Sequence, residues 1–245
     1  MFGAAMVWGL VGCGDTVREE PLAVRGAALA RDPTVSRSQY NRFACLTCHA
    51  ERPADVGDRI LPGATLQGAA RRPSYWNGEV LHLREAVGRC WVHFMRGQDA
   101  DLDGPDGQAL WAWLDALSPP NDPAGTSPRT FTWPRTSRDL GDQGDPTRGA
   151  VVWQRACASC HGSFGQGAGR LAPLTSLLPS DTLTEHCQGE LPVGVPDYAG
   201  YVRLVVYQKT RHGSFLGYAG SMPPFAEEQL SDADLADLVA MFRCP

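Results

Sequence analysis

Cys45-Leu46-Thr47-Cys48-His49 and Cys157-Ala158-Ser159-Cys160-His161 are two copies of one pattern, Cys-x-x-Cys-His, set in separate halves of a 245-residue chain. That pattern is the attachment signature of c-type haem. Two thiols one helical turn apart add to the vinyl groups of the macrocycle, and the adjacent imidazole reaches the iron. Cys45, Cys48, Cys157 and Cys160 are therefore expected to hold two covalently bound c-type haems, with His49 and His161 as proximal iron ligands. A zinc site would gather its ligands into one tetrahedron, and a thioredoxin-like dithiol would sit in a βαβ context without the following His, so both fit less well.

Working outward, the stretch 118–147 carries six prolines (Pro119, Pro120, Pro123, Pro128, Pro134, Pro146) among Gly, Ser, Thr and Asp. Proline fixes φ and removes a backbone donor, which predicts a linker without regular elements. The expected organisation is 1–24 leader and tether, 25–118 first domain, 119–146 linker and 147–245 second domain. The same order recurs on either side: a short helical run, the haem motif, a Gly/Pro-rich loop and a closing amphipathic helix. Internal duplication explains it most simply. In the second half Ser231 and Asp234 have capping-box spacing, and Leu235, Leu238, Val239 and Phe242 form one apolar stripe. In the first half Ala109, Leu110, Trp113, Leu114 and Leu117 do the same before Pro119-Pro120. Further helices are predicted over 38–45, 83–96, 148–157 and 198–211. No useful period-2 run exists, so the predicted fold is all-α, two cytochrome c-like domains in tandem.

Composition excludes other classes. A net charge of −5, without a Lys/Arg run, gives no electrostatic footprint for nucleic acid. No run of 18 apolar residues is present to span a bilayer. Met1 to Gly14 is apolar or small throughout and ends in Leu10-Val11-Gly12-Cys13, which looks like a lipoprotein signal although no Lys or Arg precedes it. Export to the periplasm or the outer face of a membrane is expected, with contact to the membrane only through a lipid anchor at Cys13. Cys187 and Cys244 are then expected to pair in an oxidising compartment. Trp76, Trp91, Trp111, Trp113 and Trp153 suit either packing around the macrocycles or ordinary core.

The distal ligands are read from loops. Gly220-Ser221-Met222-Pro223-Pro224 presents Met222 to the second iron on a Pro-stiffened segment, and Met/His ligation raises the potential. The first half offers Gly88-Arg89-Cys90-Trp91-Val92-His93-Phe94-Met95-Arg96 instead. On one continuous helix Cys90 and Met95 lie roughly 140° apart, so only one could face an iron. The distance to the closing helix favours Met95; a Cys90 thiolate stabilised by ferric iron and Arg89 would lower the potential; His93 is a weaker third candidate.

Gly63-Ala64-Thr65-Leu66-x-Gly68-Ala69-Ala70-Arg71-Arg72 and Gly88-Arg89-Cys90-x4-Met95-x-Gly97 resemble the N-terminal domains of dihaem thiosulfate dehydrogenases and of the A subunit of the sulfur-oxidation cytochrome complex. Arg211-His212-Gly213-x-Phe215-x-Gly217, leading to Met222-Pro223, resembles the corresponding thiosulfate dehydrogenase segment. The resemblance implies Cys90 as the distal ligand of the first haem. It also implies a possible sulfur-oxyanion substrate, with Cys90, Arg71 and Arg89 as candidate catalytic residues and Arg72 beside them, since guanidinium suits oxyanions. Some members carry, directly before the second methionine, a lysine that exchanges with it; here that residue is Ser221, and no such exchange is expected. Two functions follow: electron transfer to a redox partner such as a soluble cytochrome or oxidase, and thiosulfate oxidation to tetrathionate at the first haem. A dihaem peroxidase is a distant third.

Overall fold

A computed structural model describes residues 20–122, 131–214 and 220–245. Residues 1–19 of the expected leader and tether, Cys13 among them, the linker prolines Pro123 and Pro128, and the motif residues Phe215 and Gly217 lie outside the described residues. Among the described residues all regular elements are helical: α1 (Leu22–Leu29), α2 (Cys45–Cys48), α3 (Leu83–His93), α4 (Pro105–Ala116), α5 (Pro146–Val152), α6 (Ala158–His161), α7 (Ser180–His186), α8 (Tyr198–His212) and α9 (Asp232–Val239).

Each half is closed by a helix crossing seated on a glycine. In the first, α1 crosses α4 so closely that a Cβ on Gly26 would lie 2.0 Å from the Ala109 carbonyl oxygen. In the second, α5 crosses α9, and a Cβ on Gly149 would lie 2.2 Å from the Asp237 carbonyl oxygen. Backbones meet at that distance only where one residue has no side chain. The recurrence supports duplication independently of the haem motifs. Around these crossings lie two cores, one built on Trp91, Leu102, Leu110, Trp113 and Leu114, the other on Trp153, Val202, Tyr207, Leu235 and Leu238. Burying each aliphatic side chain contributes about 1.5–3 kcal/mol.

The closing helices form as their stripes require. Ser231 caps α9 by accepting the Asp234 N–H at 3.1 Å, and Asp145 caps α5 by accepting that of Thr147 at 2.8 Å. The second-half core is also closed covalently by Cys187–Cys244, whose Cα atoms are 5.6 Å apart.

Three expected helices differ. Residues 38–44 form no helix, with a turn at Gln39-Tyr40 and irregular backbone on either side, because Asn41 takes up the local backbone: its amide donates to the Pro33 and Phe43 carbonyls while its Oδ1 accepts the Phe43 N–H. The entry helix of the first half is α1 instead. The span 83–96 is helical only to His93; Phe94 and Met95 both donate to the Cys90 carbonyl, at 3.0 and 3.3 Å, and Arg96 turns left-handed at φ 54°. The span 148–157 widens into a π-turn over Trp153–Cys157, a distortion frequent at functional sites, which delivers Cys157 to the start of α6.

Candidate haem sites

The first site is built on α2. Cys45 and Cys48 stand one turn apart at its two ends, both unpaired. His49 follows in extended backbone, and its Nδ1–H donates to the Ala64 carbonyl at 2.6 Å. That bond fixes the ring and leaves Nε2 as the deprotonated nitrogen a metal needs. Burial, helped by the charge of Arg72, lowers the His49 pKa, so the imidazole is held neutral.

Cys45, Cys48 and His49 open onto a cleft with an empty volume of about 1360 Å³, its mouth included, lined mostly by apolar side chains. Cys90 and Met95 both line it. They share this wall because Met95 lies beyond the end of α3, where the turn onto the Cys90 carbonyl removes the regular 100° step that a continuous helix would impose. His93 is exposed and does not line the cleft. Burial pushes the Cys45 thiol up to about 11 and that of Cys90 up to about 12. Both are therefore thiols at neutral pH. A Cys90 thiolate needs a metal's charge to form, since Arg89 is engaged elsewhere.

The arginines separate. Arg71 pairs with Asp115 at 2.6 Å, and Arg89 pairs with Glu79 and Glu85 at 3.2 Å each, so neither reaches the cleft. Arg72 lines it, braced by donation to the Thr65 and Gln67 carbonyls at 2.6 and 2.9 Å. The expected convergence of Arg71 and Arg89 on Cys90 does not occur, because nearer carboxylates compete for both.

Sequence reasoning missed the wall formed by the linker. Phe131 and Trp133 line the cleft, with Trp133 packed 6.0 Å from Trp76 and 5.5 Å from Phe131. The Phe131 N–H donates to the Asn77 side chain at 2.8 Å, and the Asn77 amide donates back to the Phe131 carbonyl. Thr132 donates through N–H and hydroxyl to the Glu228 carboxylate at 2.7 Å each. The linker thus straps the first cleft to the second half. Two aromatics inside an otherwise polar, Pro-rich stretch were the available signal.

The second site repeats the proximal design. Cys157 and Cys160 are unpaired, burial raises both thiols (Cys157 to about 12), and the His161 Nδ1–H donates to the Ser176 carbonyl at 3.1 Å. The acceptor stands 15 residues after the histidine, as Ala64 does after His49. Trp153 packs 5.9 Å from the His161 ring, and Phe164 bridges Trp153 to Phe242. Met222 is half-buried on a segment pinned at both ends: its carbonyl accepts the Ser214 N–H at 2.9 Å, and Phe225 donates to Thr210 at 2.8 Å. Arg211, fully buried, braces this segment through the Phe225 carbonyl at 3.1 Å and Asp232 at 2.7 Å.

The sites adjoin. The Ile60 N–H donates to the Arg155 carbonyl at 2.8 Å, Arg155 Nε donates to the Asp58 carbonyl at 2.7 Å, and Ile60 packs on the second core. The Cys48 thiol is likewise pushed up, chiefly by burial. Unpaired thiol pairs, neutral histidines with a committed Nδ1, and an apolar cleft beside the first pair fit covalently held haem.

Residues 144–240 match the family model for cytochrome c oxidase, cbb3-type, subunit III. The thiosulfate dehydrogenase of Psychrobacter arcticus is 23% identical over 150 residues, which is 58% of this chain and 44% of that protein. The thiosulfate dehydrogenase of Stutzerimonas stutzeri is 28% identical over 148 residues, 60% of this chain and 47% of that protein. The chain thus spans about half the length of the curated relatives it matches. The solved thiosulfate dehydrogenase TsdBA of Marichromatium purpuratum aligns over 94% of this chain and 47% of its own, at 20% identity and a TM-score of 0.43. With its helical halves and haem-attachment geometry, the chain is all-α among its described residues, two cytochrome c-like domains in tandem, and it resembles c-type cytochromes, thiosulfate dehydrogenase among them.

Proposed function

We propose that the protein is an exported cytochrome that carries two haems and passes electrons between them to a redox partner such as a soluble cytochrome or an oxidase. The observation that supports this most is the pairing of two like-built attachment segments across one contact, where the Ile60 N–H donates to the Arg155 carbonyl and Arg155 Nε to that of Asp58. Haem supplies a one-electron couple at each site. The chain's own residues hold it: Cys45 and Cys48, or Cys157 and Cys160, through thioether bonds, and His49 or His161 through Nε2, with Nδ1–H held by a carbonyl. Cys90 is the proposed distal ligand of the first haem, Met95 the alternative from the same wall, and Met222 that of the second. A thiolate donor lowers a haem's potential and a thioether raises it, so electrons would run from the first site to the second. The cleft's mostly apolar lining, Phe131 and Trp133 included, would give the first site a low-dielectric surrounding. Intact mass of the exported protein tests the central point: an increment for two haems is expected, and one or none refutes it. Lipid on Cys13 and membrane attachment lost in Cys13→Ser would test the anchor.

A second reading is thiosulfate oxidation, favoured by Cys90 facing a cleft open to solvent at its mouth and by the relatives' names. Two thiosulfate dianions join through a sulfur–sulfur bond to give one tetrathionate dianion and two electrons, one for each haem. Arg72 would be the cation at the cleft, with Arg71 and Arg89 free to act only if their carboxylates release them. Thiosulfate that reduces the ferric protein and is recovered as tetrathionate supports this reading; ferric bands unchanged by thiosulfate refute it and leave the carrier.

A further inference from the structure

Arg96 belongs to the first half, directly after Met95, yet its side chain works in the second half. Its Nε–H donates to the Ser221 hydroxyl at 3.0 Å, and its guanidinium also donates to the Gly220 carbonyl. Those two residues immediately precede Met222, and the two that follow it, Pro223 and Pro224, form part of the wall of the first cleft beside Cys90 and Met95. The segment carrying Met222 is therefore bracketed by the distal side of the first site.

Arg96 can hold this position because its own backbone is fixed on both sides. The Met95 carbonyl accepts the Ser36 hydroxyl at 2.7 Å, the Met95 N–H returns to Cys90 at 3.3 Å, and the Gly97 N–H donates to Trp91 at 3.0 Å. Between them Arg96 sits at φ 54°, a conformation a non-glycine residue adopts only where its surroundings demand it. That conformation carries the chain off the end of α3 and out toward Gly220. On the far side, Ser214 and Arg211 hold the Met222 and Phe225 carbonyls. The segment 220–225 is thus gripped from its own half by α8 and from the other half by Arg96.

We propose that Arg96 is a positioning residue for Met222, tying the second haem's distal loop to the first haem's distal segment so that displacement of Met222 is opposed from the first half. The proposal rests on Met222 being the second haem's ligand. Charge-assisted hydrogen bonds from an exposed arginine support an equilibrium factor of about five.

The test uses the ferric holoprotein titrated with imidazole, following loss of the charge-transfer band of Met-ligated haem. In Arg96→Ala imidazole is expected to displace Met222 about fivefold more tightly than in wild type. Arg96→Lys, which keeps the charge with fewer donors, should fall between, and Arg243→Ala should match wild type. Hydrogen exchange at the Ser214 amide should quicken in Arg96→Ala while that of Leu238 in the second core does not. Met222→Ala separates the two failures. If it leaves the second haem's bands unchanged, the ligand reading falls, and the claim on Met222 with it. If it abolishes the band but Arg96→Ala keeps wild-type imidazole affinity and wild-type Ser214 exchange, the positioning proposal alone is overturned.

Discussion

Gly63→Ala is the sharpest probe of the proximal design at the first site. Gly63 stands immediately before Ala64, whose carbonyl holds His49, and its own N–H donates to the Cys48 carbonyl at 2.9 Å. A Cβ at Gly63 would lie 2.3 Å from His49 Cε1 and 2.4 Å from Nδ1, where ordinary contact begins at 3.4 Å. The ring must therefore retreat by about 1 Å. Starting from 2.6 Å, the Nδ1–H to Ala64 bond would then pass out of hydrogen-bonding range. Losing that bond costs about 1 kcal/mol, and the overpacking a further 1–3, for a total of about 2–4 kcal/mol. In a half of this size that is a melting shift of about 10 °C or more. Because Nδ1 orients the imidazole, the first haem's spectrum and potential should change while those of the second do not. Spectroelectrochemistry of the holoprotein separates the two haems. If Gly63→Ala kept a wild-type first-haem potential and melting temperature, the reasoning that His49 is locked between Gly63 and Ala64 would be refuted.

Cys90→Ala should shift only the first haem's bands and raise its potential, since a thiolate donor is lost; an unaltered first haem would give the distal place to Met95, and Met95→Ala would then produce the change. Asp237 accepts the Asp145 N–H at 2.7 Å and both Arg148 Nε and an Arg148 NH2 nitrogen, at 2.7 and 2.8 Å, which together hold its carboxyl below the ordinary carboxylate range. A depressed folded pKa stabilises above the unfolded value near 4 and is lost as pH falls through the folded one. Asp237→Asn should therefore cost about 1–2 kcal/mol at pH 7, discounted for the exposed Arg148, and the gap to wild type should close in urea titrations as pH falls below the ordinary carboxylate range and through the folded value. A gap that persists unchanged at low pH would show that the pairing is not what Asp237 contributes. Removing Cys187–Cys244, which closes a loop of 57 residues, by Cys187→Ser with Cys244→Ser should destabilise the second half by up to about 4 kcal/mol on the loop-entropy account, measured by denaturant unfolding; no loss would mean the crossing of α5 on α9 suffices without it.

The parts of the fold that were legible depend on spacing alone. Cys45, Cys48 and His49 had to be adjacent for one macrocycle, and the apolar stripes of α4 and α9 had to be buried, so neighbouring residues carried the information. Helix α1 was not legible in this way. Leu22–Leu29 has Gly26 in its middle and no side-chain cap, and its helicity is decided by Ala109, far along the chain, where the missing Cβ admits the crossing. Residues 38–45 failed for the opposite reason, since Asn41 satisfies the backbone locally and a helix would gain nothing there.

The same distinction divides the sites. The proximal sides were readable because haem attachment is written in consecutive residues, although the carbonyls that orient the histidines, at Ala64 and Ser176, were not. The distal side of the first site could not be resolved by helical geometry, since that geometry assumed the helix continued. Once the Met95 N–H turns back to Cys90 and Arg96 goes left-handed, two residues that a helix would separate share one wall. Arginines mislead for a related reason: their charge makes them look available, and whether they are depends on carboxylates elsewhere. Arg89 is claimed by Glu85 one turn earlier and by Glu79, and Arg71 by Asp115, whereas Arg72, one residue on, donates to the Thr65 and Gln67 carbonyls and stays at the cleft. Among the described lining residues, a sulfur oxyanion entering there would meet one guanidinium, that of Arg72, in a mostly apolar wall. The first cleft therefore suits a buried redox group better than a dianionic substrate, unless binding itself draws Arg71 or Arg89 from its carboxylate partner.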